Sequence, residues 1–360
     1  MHTKGTNILK PLILRDGEYS YGDIETLRET YPVTETIDLY EAQSSEVFDV
    51  LFPPLRFDPV RNQEFSEFLT KRHSKSAEGD WIYFPWSQKL LHTVCETELL
   101  LLRTNRNKNI INNEEQRLLS DCVVGIVGLS IGNSIATSLA YSGIGRTMKL
   151  AEFDDIETTN LNRIRAGLQT VGSPKLQVAS EEIYEIDPHI NLLTIPNGLT
   201  KENLAEFLGK PAPRFVFEAI DDFEMKVRLR IAACSAGIPV IMLTNLGDSI
   251  LIDVERYDLN RTLPIFNGLI GNVSEEILSK PISEADKQKY AVEIVGKENV
   301  PRRAIESLSE IGETLIGRPQ LMSTVTVSGG IAAYLARRII LGEPLPSGRK
   351  LIRFDEVFLP

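Results

Sequence analysis

The segment 121–163 constrains the fold of this chain more than any other part of the sequence. An apolar run over 122–127 leads into a glycine turn at 128–132, and a helical pattern follows over 133–142. A second apolar run, 148–153, ends on acidic residues about twenty positions beyond the turn, which is the usual spacing of a ribose-binding acid. This order of strand, glycine turn, helix and acidic strand end is typical of a nucleotide-binding βαβ unit.

Strand and helix patterns continue to alternate after this segment. The further strand candidates are 191–196, 215–219 and 240–244, and the helix candidates between them are 175–185, 201–208 and 223–236. Alternation at this spacing predicts an α/β fold with a doubly wound, Rossmann-like and mostly parallel sheet that carries helices on both faces.

The chain divides into three predicted domains or regions. Residues 1–102 are expected to form a smaller α+β N-terminal region of unknown role. Residues 103–255 are expected to form the nucleotide-binding domain. Residues 256–360 supply helical substrate-side and C-terminal elements, which we expect to pack on the same domain.

Two local patterns lie outside the central segment. The alternation over 80–94 favours a β-hairpin in the N-terminal region. Near the C-terminus, the pattern over 321–341 predicts a long amphipathic helix. We expect its Gly329-Gly330 pair to break that helix.

The 360 residues carry a net charge of −11. This charge argues against a nucleic-acid backbone or an anionic membrane as the main partner. No apolar run approaches the ~18 residues of a membrane-spanning helix. Lys10 and Pro11 interrupt the apolar patch near the start, which makes a poor signal peptide. We therefore expect a cytoplasmic protein with no nucleic-acid and no membrane partner.

The three cysteines of the chain are Cys95, Cys122 and Cys234. They form no Cys-x-x-Cys pair and their number is odd, so neither a disulfide framework nor a structural zinc site is expected. Free cysteines are usually buried, and we expect Cys234 to be part of the core rather than a nucleophile.

The glycine turn Gly128-Leu-Ser130-Ile-Gly132 places a helix N-terminus at the end of the first strand. Free N–H groups and the helix dipole there favour an anion. The full dinucleotide spacing is missing, because Ser130 and Asn133 stand where second and third glycines would be. On the turn alone, a phosphate loop and a tight structural turn both stay open.

The same five residues fit the Gly-x-Ser-x-Gly elbow of hydrolases, in which Ser130 would be the nucleophile. Such a site needs an acid and then a histidine further along the chain. His189 is the one histidine that follows Ser130. The required order of residues is barely met, so the sequence disfavours a hydrolase.

Charged and amide side chains concentrate after the second strand. Glu152 stands at the strand end, where a carboxylate commonly accepts ribose hydroxyl groups. One amide and three cations follow closely: Asn160, Arg163, Arg165 and Lys175. A polyphosphate needs such a set of cations. Surface ion pairing is the alternative, but it does not explain why the cations occur together with Gly128 and Glu152.

Paired acids, Asp221 and Asp222, follow the strand candidate 215–219. The carboxyl ends of strands in a doubly wound sheet converge on one crevice, so we expect Asp221 to face the glycine turn and Glu152. An acid at that point can hold Mg²⁺ together with phosphate oxygens. We assign to Asp222 the capping of the helix that begins at Phe223.

Taken together, these motifs resemble the ThiF/MoeB superfamily, which is related to ubiquitin-activating enzymes. The residues that carry the resemblance are Glu152-Phe-Asp154, Asn160-Leu-Asn-Arg163, Gly172-Ser-Pro-Lys175, Ile186-Asp-Pro-His189 and Asp221. The chain is also similar to a bacterial subgroup of ThiF-like proteins with an extra N-terminal region. Enzymes of this superfamily use ATP and Mg²⁺ to adenylate the C-terminal carboxylate of a ubiquitin-fold protein, or another carboxylate.

The resemblance implies roles for individual residues. Implied nucleotide-binding residues are Gly128, Ser130, Gly132, Glu152, Asp154, Asn160, Arg163 and Lys175. Implied catalytic residues are Arg106, Arg163, Lys175 and Asp221, with Mg²⁺ at Asp221. Arg103-Thr-Asn-Arg106 is similar to the family's Arg-x-x-Arg, whose second arginine reaches the nucleotide of the partner subunit. The resemblance therefore implies a homodimer that acts on a small ubiquitin-fold protein or a peptide.

The chain departs from the family pattern in its glycine loop, in the absence of two Cys-x-x-Cys zinc pairs, and in having no recognisable thioester cysteine. The function favoured by the sequence is ATP- and Mg²⁺-dependent adenylation of a carboxylate. An NAD(P)-dependent oxidoreductase is the first alternative. A non-catalytic ThiF-like scaffold is the second.

Overall fold

The computed structural model describes residues 8–72, 78–271 and 282–358. Two compact units make up the chain. The N-terminal unit contains the described residues up to Gln116 and also the short segment 184–189. The main unit contains 117–183 and the described residues from Ile190 onward. The three-part domain division stays a prediction.

Four strands of the N-terminal unit are β1 (Leu12–Leu14), β2 (Glu35–Asp38), β3 (Asp80–Phe84) and β4 (Lys89–Thr93). They form one sheet in the order β1-β3-β4-β2. Strands β3 and β4 pair antiparallel, which confirms the hairpin predicted over 80–94. Tyr83 and Leu90 lie opposite each other on this hairpin and pack with Ile24 and Leu27 in a buried cluster.

The helices that begin in this unit are α1 (Tyr21–Thr30), α2 (Tyr40–Leu51), α3 (Arg61–Arg72), α4 (Glu96–Thr104) and α5 (Asn113–Ser120). Polar contacts hold the segment 184–189 in the unit. Trp86 Nε1 donates to Glu185 Oε1 at 2.7 Å, and Arg103 Nη1 donates to Asp187 Oδ2 at 2.6 Å. The N-terminal unit thus binds a short segment that the sequence predicts as part of the nucleotide-binding domain.

The described strands of the main unit are β5 (Val123–Val127), β6 (Thr147–Ala151), β7 (Asn191–Ile195), β8 (Phe215–Glu218), β9 (Val240–Asn245), β10 (Ser249–Glu255) and β11 (Gly348–Arg353). They form a single sheet in the order β11-β10-β9-β8-β5-β6-β7. The pairs from β7 to β9 are parallel, whereas β10 pairs antiparallel with both β9 and β11. The α/β fold with a mostly parallel, doubly wound sheet is therefore confirmed.

The position of the crevice follows from this strand order. The chain runs from β5 outward through β6 to β7, and then returns to the other side of β5 to form β8 and β9. Right-handed crossovers in these two directions put helices on opposite faces of the sheet. The connections diverge between β5 and β8, and the carboxyl ends of the strands leave a crevice there.

The helices that follow are α6 (Ile131–Tyr141), α7 (Lys175–Ile186), α8 (Leu204–Leu208), α9 (Phe223–Ala236), α10 (Glu284–Val295), α11 (Arg302–Glu306), α12 (Met322–Ile340) and α13 (Phe354–Phe358). The predicted break at Gly329-Gly330 is wrong, because α12 continues through both glycines. A Cβ on Gly329 would lie 2.5 Å from the Ser134 carbonyl oxygen. Gly329 therefore allows α12 to pack closely on α6.

A buried ionic cluster joins β8, α9 and β10. Arg230 donates to Glu218 at 2.9 Å and to Glu255 at 2.6 Å, and all three side chains are buried. The guanidinium carbon lies 3.8 Å from the ring centroid of Phe266. A buried guanidinium needs such partners, since an unpaired buried charge is strongly destabilising.

Within the described ranges, no helix is both long and apolar enough to cross a membrane. Helices α10 and α11 lie in the region 256–360, for which helical elements are predicted, while 272–281 lie outside the described residues.

Candidate nucleotide site

Gly128 makes the turn at the end of β5 with a left-handed backbone, at φ +85°. A Cβ at this position would lie 2.4 Å from the Ala219 carbonyl oxygen, which follows β8. Its N–H donates to the Ala151 carbonyl at 2.9 Å, at the end of β6. A glycine is thus required for the turn to lie between the two neighbouring strand ends.

Helix α6 begins directly after this turn. Ser130 is its N-cap residue, with φ −70° and ψ −84°, and its side chain makes no capping hydrogen bond. Gly132 lies in the first helical turn, where a Cβ would be 3.1 Å from Ile126 Cγ2. Because the Ser130 side chain accepts no hydrogen bond from the first turn of α6, the N–H groups of that turn stay available to an anion.

Glu152 is buried at the end of β6 and accepts three backbone hydrogen bonds. The Leu129 N–H donates to Oε2 at 2.7 Å, while the N–H groups of Phe153 and Asp154 donate to Oε1 at 2.7 and 3.0 Å. A carboxylate has about four acceptor positions, and these bonds use three of them. The binding of ribose by Glu152 stays a prediction. The structure adds a second role that the sequence did not indicate, because Glu152 also holds the backbone of the glycine turn.

Lys175 begins α7 and is held by Asp154. Its Nζ donates to Asp154 Oδ2 at 2.8 Å, and its backbone N–H donates to the Asp154 carbonyl at 2.8 Å. The Lys175 side chain is nearly buried, whereas the Asp154 side chain is about half exposed. The Asp154 carboxylate, which is accessible to solvent, therefore holds the Lys175 ammonium group in one position.

Asn160 ends a short 3-10 turn, Thr158–Asn160, and is buried. Its Oδ1 accepts the Glu157 N–H at 3.2 Å, and its backbone carbonyl accepts the Ile164 N–H at 2.9 Å. Through these bonds the Asn160 side chain and backbone shape the loop that carries Arg163.

Arg163 has an unusual environment. Its Nη1 donates to the Thr159 carbonyl and to Asn162 Oδ1, both at 3.0 Å. Its Nε is buried and has no acceptor among the described residues. Burial lowers the pKa of the guanidinium from its ordinary value, and the carboxylates of Asp221 and Glu157 oppose that change. A buried donor without an acceptor costs about 1–3 kcal/mol. A ligand oxygen that accepts a hydrogen bond from Arg163 Nε would remove this cost.

Asp221 follows β8 and is 92% exposed, and its Oδ1 accepts a hydrogen bond from Arg318 Nη2 at 2.8 Å. Asp222 caps α9 by accepting the Met225 N–H at 3.1 Å, which confirms the predicted cap. Within the described ranges, no group of three or more His, Cys, Asp or Glu is arranged to hold a metal. One exposed carboxylate does suit Mg²⁺ that brings its own phosphate oxygens and water.

Four predicted elements meet at one edge of the sheet. The glycine turn follows β5, Glu152 and Asp154 follow β6, and Asp221 follows β8. Arg163 joins them, because Asp221 contributes to its electrostatic environment. Arg106 lies in the N-terminal unit, exposed on the 3-10 turn Asn105–Asn107. Its action across a dimer stays a prediction.

Sequence reasoning missed Arg318 and Asn162. Arg318 lies far along the chain from Asp221, in a stretch that matches no motif. Asn162 is within the Asn-Leu-Asn-Arg motif, but its contact is with a distant residue, since its Nδ2 donates to the Gln320 carbonyl at 2.9 Å. Neither contact has a signal in the local sequence.

Several known proteins are similar in sequence to this chain. An uncharacterized protein of Mycobacterium tuberculosis is 36% identical over 96% of this chain and 45% of its own length. A tRNA threonylcarbamoyladenosine dehydratase of Bacillus subtilis is 29% identical over 44% of this chain and 62% of its own length. A molybdopterin-synthase adenylyltransferase of Haemophilus influenzae is 28% identical over 60% of this chain and 88% of its own length. The chain thus spans only part of the first two relatives.

A crystal structure of PaaA shares the fold, with a TM-score of 0.51 and 20% identity over 72% of this chain and 79% of PaaA. The model of the ThiF family matches residues 103–358. This match covers most of the chain and includes every proposed site residue, which confirms the resemblance found in the sequence. The chain belongs to the ThiF family.

Proposed function

We propose that this protein binds ATP with Mg²⁺ and adenylates a carboxylate, namely the C-terminus of a ubiquitin-fold protein or a peptide. Membership of the ThiF family supports this proposal, as does the relative named as an adenylyltransferase. The observation that carries it is the buried Arg163 Nε, which has no acceptor in the part of the chain that the structure describes. A phosphate oxygen is such an acceptor.

In the proposed reaction, a carboxylate oxygen of the substrate attacks the α-phosphorus of ATP. The bond from that phosphorus to the bridging oxygen breaks, and pyrophosphate leaves. The carboxylate is already ionised at neutral pH, so no general base is required. Mg²⁺, when bound, neutralises part of the phosphate charge. The remaining catalysis comes from positioning and from charge stabilisation.

We assign the protein's groups to these tasks. The N–H groups after the glycine turn bind phosphate, and the remaining acceptor position of Glu152 binds a ribose hydroxyl. Arg163 and Lys175 bind phosphate oxygens, and Asp221 binds Mg²⁺. Ser130, Gly132, Asp154 and Asn160 shape these positions, and Arg106 of a second subunit completes the site. A cytoplasmic homodimer with no structural zinc stays our expectation.

Calorimetric titration with Mg²⁺-ATP and, separately, with NADH tests this proposal. We expect tighter binding of ATP, since an oxidoreductase leaves the cations after β6 unexplained. Arg163→Met should weaken ATP binding by about tenfold or more, because a charge-assisted hydrogen bond contributes about 1.5–3 kcal/mol. Tighter binding of NADH, or normal ATP binding by Arg163→Met, would contradict the proposal.

ATP binding alone does not separate an enzyme from a non-catalytic scaffold. Pyrophosphate release in the presence of candidate carboxylates does separate them. The dehydratase relative is named for a tRNA, which makes a carboxylate carried on tRNA a second candidate substrate. The net charge of −11 disfavours it, and a tRNA-binding titration at low salt decides between the two.

A further inference from the structure

The segment Arg318–Pro319–Gln320, here called the strap, contacts two sides of the candidate site. Arg318 Nη2 donates to Asp221 Oδ1 at 2.8 Å. The Gln320 carbonyl accepts a hydrogen bond from Asn162 Nδ2 at 2.9 Å. Asn162 also accepts from Arg163 Nη1 at 3.0 Å, so one side chain links the strap to a proposed phosphate-binding arginine.

The strand order of the sheet shows that the glycine turn lies between these two contacts. The strand order is β8-β5-β6, and Asp221 follows β8 whereas Asn162 follows β6. The glycine turn follows β5 and is therefore flanked by the two contacts. The strap leads directly into α12, which packs on α6 and β9 and gives the strap a fixed base. The strap thus joins the segments that follow β6 and β8, the two neighbours of β5 in the sheet.

The Arg318–Asp221 ion pair is easily exchanged. The Arg318 side chain is 58% exposed and the Asp221 side chain is 92% exposed. Such a pair is weak in water, because the solvent screens both charges. Lys175, by contrast, is held by a partly buried contact with Asp154. A cation that binds Asp221 competes with Arg318 for the same carboxylate, and the guanidinium is then released at the edge of the site.

We propose that Arg318 is a further phosphate-binding residue, which leaves Asp221 when Mg²⁺ takes that carboxylate and then binds a β- or γ-phosphate oxygen of the nucleotide. The proposal rests on the proposed function. A planar guanidinium suits this task, because it makes two parallel hydrogen bonds to phosphate oxygens. The strap accordingly closes the site with the triphosphate in place, and AMP, which lacks those phosphates, does not use it.

Calorimetry on the full chain tests this inference with Mg²⁺-ATP and with AMP. Arg318→Met keeps the length of the side chain and removes its charge, and Arg318→Lys keeps the charge without the planar fork. We expect Arg318→Met to weaken ATP binding at least tenfold and AMP binding less than twofold, with part of the loss restored by Arg318→Lys. Arg302→Met is the matched control, since the Arg302 side chain is 91% exposed and pairs with Glu306 on α11.

Each outcome decides one point. If Arg318→Met binds ATP normally while Arg163→Met does not, the inference fails and the proposed function stands. That result would also follow if Arg318 binds the acyl substrate instead. Equal weakening of ATP and AMP would exclude a β- or γ-phosphate contact. If the wild-type protein binds no ATP, both the inference and the proposed function fail. Thermal unfolding of each variant establishes that the fold is retained.

Discussion

The Glu152 carboxylate accepts the backbone N–H of Leu129 at 2.7 Å, which joins the acidic end of β6 to the glycine turn after β5. In the sequence these are two separate motifs. In the structure, the Glu152 carboxylate fixes the glycine turn. The glycine turn then directs the N-terminus of α6 toward the crevice. The two motifs therefore act as one element, and a change in either one should alter the geometry of both.

Glu152→Gln should lower the free energy of unfolding by about 1–3 kcal/mol, because an amide nitrogen replaces one oxygen and leaves a buried N–H without its acceptor. Urea unfolding measures this loss. Glu313→Gln is the control, since Glu313 is exposed. If the two variants are equally stable, the bonds from Glu152 to the turn do not contribute to the fold. We also expect Glu152→Gln to weaken ATP binding.

The two adjacent glycines of α12 should respond in opposite directions to alanine. Gly329→Ala places a Cβ 2.5 Å from the Ser134 carbonyl, and we expect it to destabilise the protein by about 1–3 kcal/mol. A Cβ on Gly330 meets no atom of the described residues within 4 Å, so Gly330→Ala should stabilise by up to about 1 kcal/mol through helix propensity. Denaturant unfolding of both variants checks the prediction. A loss of stability in both would mean that α12 tolerates neither side chain.

Asp253 should make stability depend on pH. Burial raises the pKa of this carboxyl to about 6, and the neighbouring Glu255 carboxylate adds to the rise. The unfolded value is about 3.9, so the folded state binds more protons between about pH 4 and 6. The contribution of Asp253 is therefore fully present below about pH 4 and is lost as the pH rises through about 6.

Unfolding of wild type and Asp253→Asn at several pH values measures this contribution. The stability of wild type relative to the variant should fall as the pH is raised from 4 to 7, by about 1.4 kcal/mol for each pH unit in the steepest part of the range. Asp253 Oδ1 accepts from Asn267 Nδ2 at 2.9 Å, and asparagine can keep that bond through its own oxygen. A difference that is constant with pH would mean that Asp253 does not titrate in this range.

The sequence predicts the parallel part of the main sheet because its strands are mostly apolar. The strand β8, for example, is buried at all four positions, as expected of a strand covered by helices on both faces. The cap at Asp222 was predictable because the interaction is local and depends on residues three positions apart. Burial and local hydrogen bonding thus leave clear signals in the sequence.

The features that the sequence missed depend on contacts between distant residues. The low helix propensity of Gly329 predicts a break in the helix, but packing on α6 outweighs that propensity. The Arg318–Asp221 pair joins two surface residues that share no motif. The segment 184–189 belongs to the N-terminal unit because of its contacts with Trp86 and Arg103, which no periodicity reports.

The last prediction concerns Arg106, for which we expect action across a two-fold interface. The alternative is that Arg106 only pairs with local acids such as Glu114 or Glu115. Glu115 already accepts the Asn112 N–H at 2.8 Å. An isologous dimer would have two composite sites, each with Arg106 from one subunit and Asp221 from the other. Light scattering tests first whether the protein is a dimer.

Mixing two inactive variants then tests the composite site. If Arg106→Ala and Asp221→Asn subunits exchange at random, about half of the dimers are mixed, and each mixed dimer has one intact site. Pyrophosphate release with the carboxylate substrate should therefore recover to about a quarter of the wild-type rate. Each variant taken through the same exchange procedure alone is the control, and its rate of pyrophosphate release should not recover. A monomeric protein, or demonstrated subunit exchange without recovery, would mean that Arg106 does not act across an interface.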